Sequence, residues 1–352
     1  AASPSSGGSF DEPNDPNRGD VHYWEVWHGN KPFSEYRKYF FRYASEFGFQ
    51  SFPSVKTLET VTDDPKELNP FSYVMEKHQR NYGGNGKIAK YMQAAYRYPE
   101  NFSDFVYASQ LLQADGIRYG VEHYRRNRGR CMGAIYWQLN DCWPVISWSS
   151  IDYYGRWKAL HYYAKRFFAP VMLSCEEQSW MTVEADMNRQ HFEFEKSIRL
   201  NVTNETLDAH RVLVKWAVRK TDATILREEE QWLEVPALSA VWMDKVELPQ
   251  IDCFNEYVSY EAWENDQIIS QGTVIFSYPK YFHYLNPGLA VRVDGDEIVV
   301  KAEAYAKSVE IRNENDDLIL EDNYFDMNAG EYRVKILDGK PDGLKVRSVY
   351  DI

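Results

Sequence analysis

The sequence predicts an α/β portion followed by antiparallel β-sandwiches, and two observations carry that prediction. Charge divides the chain: residues 171–352 hold 35 acidic and 19 basic side chains, a net of −16, whereas residues 1–170 hold 18 and 21, a net of +3. The hydrophobic pattern changes at the same place, near Ala169 and Pro170. Before it, strand-like runs alternate with helical ones; after it, short β-branched and aromatic runs follow one another between turns. With 44% hydrophobic and 26% charged residues over 352 positions, the chain can bury real cores, which excludes a disordered or low-complexity protein.

Taken in order, residues 1–20 carry no starting Met and no basic-then-apolar leader. They read as a loop from inside a larger protein, so the chain is expected to be a fragment or a processed piece. Residues 21–27 form an aromatic and β-branched run closed by Gly29, a strand; residues 40–46 form a second, ending before Gly48. Residues 102–126 have helical spacing, with Phe105, Ala108, Leu112, Tyr119 and Val121 at apolar positions, and Gly129 stops them. A strand is expected over 132–139 and a helix over 159–168, ended by Pro170. Beyond it, runs at 197–202, 212–218, 231–235, 241–246, 257–263 and 268–276 have the pattern of an antiparallel sandwich. A bridge with two prolines at 278–288 leads to a smaller set at 290–293, 298–302, 308–312 and 332–336.

Several function classes are disfavoured. A formal charge of −13 argues against a nucleic-acid partner, since the phosphate term needs clustered Lys and Arg. No apolar run approaches the roughly 18–20 residues of a membrane span. Cys131, Cys142, Cys175 and Cys253 lack metal-like spacing and read as reduced thiols, which favours the cytoplasm. Sequons at Asn101, Asn201 and Asn204 leave a lysosomal or secreted setting as the alternative. Gly83 to Lys87 imitates a phosphate loop but has Asn81 and Ile88 where a Gly and a Ser or Thr belong. No cofactor and no metal are expected.

Three blocks could carry chemistry. In SEFGFQS (45–51), Glu46 ends an apolar strand and is followed by an aromatic and a Gly. In a parallel-strand barrel, catalytic groups occupy such strand ends, and a carboxylate walled by rings is poised as nucleophile or acid. The alternative is a carboxylate pairing with Arg42. In YWQLNDCWP (136–144), Trp137, Asn140 and Asp141 gather at another strand end, as sugar sites require: ring faces for the apolar side of a pyranose, planar polar groups for its hydroxyls. A core Trp beside an Asn-Asp turn is the alternative. In HYWEVWHG (22–29), alternation puts Tyr23, Glu25 and Trp27 on one face and Trp24, Val26 and His28 on the other, with His28 placed to touch substrate or orient Glu46.

Together, GDVHYWEVWHG (19–29), RYASEFGFQSFPS (42–54) and GAIYWQLNDCWPVISWSSIDYYGRWKALHYYAKRFFAP (133–170) resemble the last strands of the glycoside hydrolase family 2 barrel, closest to its β-mannosidases. The resemblance implies the C-terminal half of a (β/α)8 TIM barrel over 1–170, an immunoglobulin-like sandwich over 171–280 and a small C-terminal sandwich over 281–352. It implies a retaining exo-glycosidase acting on β-mannosides or related oligosaccharides, with Glu46 as nucleophile and Trp137 as the floor of the terminal-sugar subsite. Asn140, Asp141, Trp24 and His28 are further substrate-binding candidates, although His28 stands where the family often has a Tyr. The family's acid/base, a Glu after an Asn on an earlier strand, has no match here. Residues 1–10 resemble the segment shortly after that strand. The missing N-terminal portion is therefore an expected partner, with a second copy of the chain (a homo-oligomer) as a further one, and the chain alone is expected to be inactive. Exo-β-glucosaminidase, β-galactosidase or a non-catalytic carbohydrate-binding module are the other readings.

Overall fold

A computed structural model describes residues 15–17, 19–183 and 193–352. The segment likened to a region just after a missing strand, residues 1–10, lies outside them. The chain forms two compact units, one from residues 1–47, 118–135 and 166–283, the other from 48–117, 136–165 and 284–352.

In the first unit, β1 (Val21–His22) and β2 (Ala44–Glu46) pair in parallel. Residues 131–135 run alongside β2 as a third parallel segment, with Ala44 N–H donating to Gly133 O at 3.0 Å and Ile135 N–H to Ala44 O at 2.8 Å. Three expected strands are shorter than their patterns, and of the run 40–46 only Ala44–Glu46 is strand. The run 21–27 leaves the sheet after His22, because His28 N–H donates to Trp24 O and Lys31 N–H to Glu25 O, closing a helical turn. Tyr23, Val26 and Trp27 are buried, at a spacing that fits a turn and not the alternation of a strand. The run 132–139 stays beside β2 only to Ile135; a cis peptide follows between Trp137 and Gln138.

The helices are α1 (Val55–Leu58), α2 (Tyr73–Lys77), α3 (Gly84–Ala95), α4 (Phe102–Arg126) and α5 (Ala159–Phe167). α4 has the bounds its periodicity predicts. A Gly at 120, inside a helix, costs about 1 kcal/mol relative to Ala, and close approach explains it: a Cβ there would stand 3.0 Å from the Phe47 ring.

The first unit also holds a sandwich. One sheet is β3 (Val171–Gln178), β4 (Ser197–Asn204) and β7 (Ser239–Trp242), with β8 (Val246–Glu247) also on β4; the other has the order β10 (Gln267–Ile275), β9 (Glu256–Glu264), β5 (His210–Lys220), β6 (Ile225–Val235). Leu173, Leu200, Val202, Val212, Val214, Trp216 and Val258 fill the space between them. Two of the three sequons are closed to modification in this fold, since Asn201 and Asn204 are fully buried on β4.

The second unit contains the smaller sandwich. β11 (Ala290–Asp294), β12 (Glu297–Ala302), β16 (Gly330–Asp338) and β14 (Ile319–Leu320) form one sheet, and β15 (Phe325–Met327), β13 (Ala306–Arg312) and β17 (Lys345–Arg347) the other. A half-buried arginine fixes it to α4: Arg347 pairs with Glu310, with Asp104 at 3.0 Å and with Ser103 Oγ at 3.1 Å.

Candidate active site

β2 turns Ala44 and Glu46 to one side of the strand and Ser45 to the other, where the Ser45 hydroxyl donates to Asp20 Oδ2 at 2.5 Å. Phe47, the next residue, is fully buried with its ring edge-on to Tyr36 and Tyr124, at 5.6 and 5.8 Å between centroids. The strand end is thereby fixed from behind, and the Glu46 side chain, 26% exposed, is presented in front of it.

Two donors converge on one of its oxygens. His22 Nδ1 lies 3.2 Å and the Trp24 indole N–H 3.3 Å from Oε2. Both contacts are to Oε2 and neither is to Oε1. The register explains His22, which stands directly opposite Glu46 in the parallel pair. Sequence reasoning placed His28 near the carboxylate and overlooked His22. In the structure His28 is exposed and its ring lies against the Trp24 indole, 5.3 Å between centroids. Arg42, the alternative partner read from the sequence, is not what meets the carboxylate; His22 and Trp24 do.

In the second unit, residues 136–150 build a loop about a buried carboxylate. Asp141 is 6% exposed, and its two oxygens accept from Ser147 Oγ and Ser149 Oγ, each at 2.6 Å. Gln138 Nε2 donates to Asn140 O at 3.0 Å, and Gln138 N–H to Trp148 O at 3.1 Å. Asp141 thus holds the loop from inside, whereas Trp137 and Asn140 are exposed on it. Tyr136 Oη and His161 Nδ1 both meet Ser150 Oγ, at 2.8 and 3.2 Å, and burial lowers the His161 pKa.

The structure therefore gathers Glu46, Trp24 and His28 in one unit, with His22 added, and Trp137, Asn140 and Asp141 in the other. Among the described residues no three His, Cys, Asp or Glu side chains are grouped to hold a metal ion, and no helix is long and apolar enough to cross a membrane. All four cysteines are free thiols.

Comparison with known proteins adds the following. A family model described as a mannosidase Ig/CBM-like domain matches residues 196–281, and one described as an Ig-fold domain matches residues 284–352. "Beta-mannosidase B" of Thermothelomyces thermophilus is 30% identical over 361 aligned residues, covering 94% of this chain and 41% of that protein. The crystal structure of β-D-mannosidase from Dictyoglomus thermophilum superposes with a TM-score of 0.85 at 26% identity, over 98% of this chain and 42% of that one. The exo-chitosanase of Amycolatopsis orientalis shares the fold, with a TM-score of 0.60 at 16% identity over 87% of this chain and 42% of that one. The chain spans about two-fifths of the length of the relatives it matches.

Proposed function

From a chain that corresponds to the C-terminal portion of the glycoside hydrolase family 2 β-mannosidases, we propose that it supplies the nucleophile and part of the sugar subsite of a retaining exo-β-mannosidase. In this reading β1, β2 and residues 131–135 belong to the closing half of a (β/α)8 barrel, whose catalytic groups stand at the C-terminal ends of strands. Glu46 stands at such an end.

The observation that carries the proposal is the convergence of His22 and Trp24 on Oε2. With Oε2 held by these two contacts the carboxylate has a fixed orientation, and an attacking group must be oriented towards the carbon it meets. Oε1 attacks the anomeric carbon of the terminal mannose while the glycosidic C–O bond breaks, giving a glycosyl-enzyme. Water then attacks the same carbon and returns the carboxylate. A second carboxyl group about 5–5.5 Å from the first protonates the leaving oxygen and later takes the proton from water. We assign that group to the part of the enzyme outside this chain. Trp137 presents its indole face to the apolar side of the sugar ring, and Asn140 its amide to hydroxyls. Asp141 acts on the loop and not on the sugar.

Two measurements test this. Incubating the full-length enzyme with a 2-fluoro-mannosyl inactivator is expected to esterify Glu46, read by peptide mass spectrometry; a label on another residue would overturn the assignment. The purified 352-residue chain is expected not to turn over nitrophenyl β-mannoside, since loss of a general acid alone costs on the order of 10²–10⁴ in rate. Rapid hydrolysis by that chain would sink the proposal that the acid/base lies elsewhere.

A further inference from the structure

Resting on the reading of Trp137 and Asn140 as a sugar subsite, we propose that Lys158 is a positioning residue for it, its buried ammonium clamping the loop that carries both. Lys158 is 1% exposed. Its Nζ reaches the carbonyls of Ser51 and Ser147, at 3.4 and 3.5 Å. Those two residues already form an antiparallel bridge, with Ser51 N–H donating to Ser147 O at 3.0 Å. The ammonium therefore sits on the seam where residues 136–150 join the segment that follows β2.

A buried charge persists only when it is compensated, and two carboxylates compensate this one. Asp141 and Asp152 both favour the charged form of Lys158. Asp141 is the centre of the loop, holding Ser147 and Ser149. Asp152 accepts from Thr57 Oγ1 and from the N–H groups of Tyr154 and Arg156, which fixes it on the far side. From α4 the neighbouring groups are neutral amides: Gln110 accepts from Ala159 N–H, and Gln113 donates to the carbonyls of Phe49, Trp148 and Ser149. Removing the proton from Lys158 leaves Asp141 with its serines but without its counter-charge. The clamp on the Ser147 carbonyl then weakens to a neutral amine contact.

The titration falls in a usable range. Burial lowers the Lys158 pKa from 10.5 to about 8, against the opposing pull of Asp141 and Asp152. The sign separates positioning from plain stability. A base whose folded pKa is depressed binds its proton more weakly when folded, so through this group stability does not fall as pH rises from about 8 towards 10.5. An alkaline effect of Lys158 therefore belongs in substrate affinity and not in the melting temperature.

The test compares full-length wild type with Lys158→Met, Lys158→Arg and Trp137→Ala, using nitrophenyl β-mannoside and thermal unfolding from pH 6 to about 9.5. The wild-type KM is expected to rise about 10-fold or more, a size reasonable for a site displaced by a fraction of an ångström, with a midpoint near 8. Its kcat is expected to change less, and its melting temperature not to fall in step. Lys158→Met should show the raised KM already at pH 7 with no inflection. Lys158→Arg, which cannot lose its proton in this range, should keep the low KM to higher pH. A Lys158→Met enzyme with wild-type KM and wild-type alkaline limb overturns the proposal. If that variant does not fold, a wild-type KM that stays flat to pH 9.5 overturns it instead. Trp137→Ala keeps the two readings apart: unchanged KM there sinks the subsite itself, whereas a raised KM there with no effect of Lys158 sinks only the clamp.

Discussion

Replacing Glu46 by Gln in the full-length enzyme is expected to lower kcat for nitrophenyl β-mannoside on the order of 10⁴-fold or more, with sugar affinity kept. The amide is isosteric, so the fully buried Phe47 and the strand register that hold the side chain are undisturbed. The Trp24 indole N–H still finds an acceptor in the amide oxygen. On the proposed mechanism the substitution removes the lone pair and negative charge with which Oε1 would form the glycosyl-enzyme, and removal of a covalent nucleophile typically costs far more than removal of a positioning contact. Kinetics on the nitrophenyl substrate and calorimetric binding of a mannose-configured inhibitor to the variant measure the two quantities separately. A Glu46→Gln enzyme within tenfold of wild-type kcat would remove the carboxylate from the mechanism. One that loses inhibitor binding along with turnover would assign Glu46 to ground-state binding and not to covalent chemistry. A carbohydrate-binding module with no catalysis would show neither loss of turnover nor a covalent fluorosugar adduct.

Sequence reasoning succeeded where a single periodicity governs a segment. α4 is legible because its apolar residues recur at helical spacing and Gly129 stops them, even though residues 105–114 are buried on every side. Strands were misread where their burial is two-sided or absent. β3 has five consecutive buried residues, Val171 to Cys175, and therefore no alternation to read. β6 begins at Ile225, six positions before its pattern does, because residues 225–232 are exposed and held only by pairing with β5. The SEFGFQS block makes Glu46 a candidate, since a carboxylate ending an apolar strand is unusual in itself. His22 was not visible in that way: its place opposite Glu46 depends on the parallel register, which no local pattern encodes. Asp141 reads as a substrate-binding candidate in the sequence because it shares a block with Trp137 and Asn140. Two serines six and eight positions on turn it inward, and only the folded loop reveals that.

Substituting Glu177 by Leu in the full-length protein is expected to destabilise the first unit by about 3–5 kcal/mol, the range for breaking a buried ion pair from one side. Arg37 Nη2 meets Glu177 Oε2 at 2.6 Å, and its Nη1 donates to the Glu177 carbonyl at 2.7 Å. The guanidinium also lies over the Tyr119 ring, 4.6 Å from its centroid, while the Tyr119 hydroxyl donates to Glu177 Oε1. Both charged side chains are nearly enclosed, at 12% and 6% exposure. Without Glu177 the guanidinium remains buried and unneutralised, which sets the size of the effect. Burial by itself would raise the Glu177 pKa, but Arg37 and the Tyr119 hydroxyl outweigh it and hold the carboxyl below its ordinary 4.5. A folded pKa depressed in this way gives stability that is fully present above 4.5 and is lost as pH falls through the lowered folded value. Urea unfolding followed by tryptophan fluorescence at pH 7 and at successively lower pH measures both effects. The difference between wild type and Glu177→Leu should shrink as the carboxyl protonates. The double variant Arg37→Met with Glu177→Leu should recover much of the single variant's loss, because the pair then leaves together and no charge stays behind. A Glu177→Leu cost under about 1 kcal/mol, the scale of exposed pairs, would mean that water reaches the guanidinium, and a double variant no better than the single would mean that packing and not charge holds the two elements.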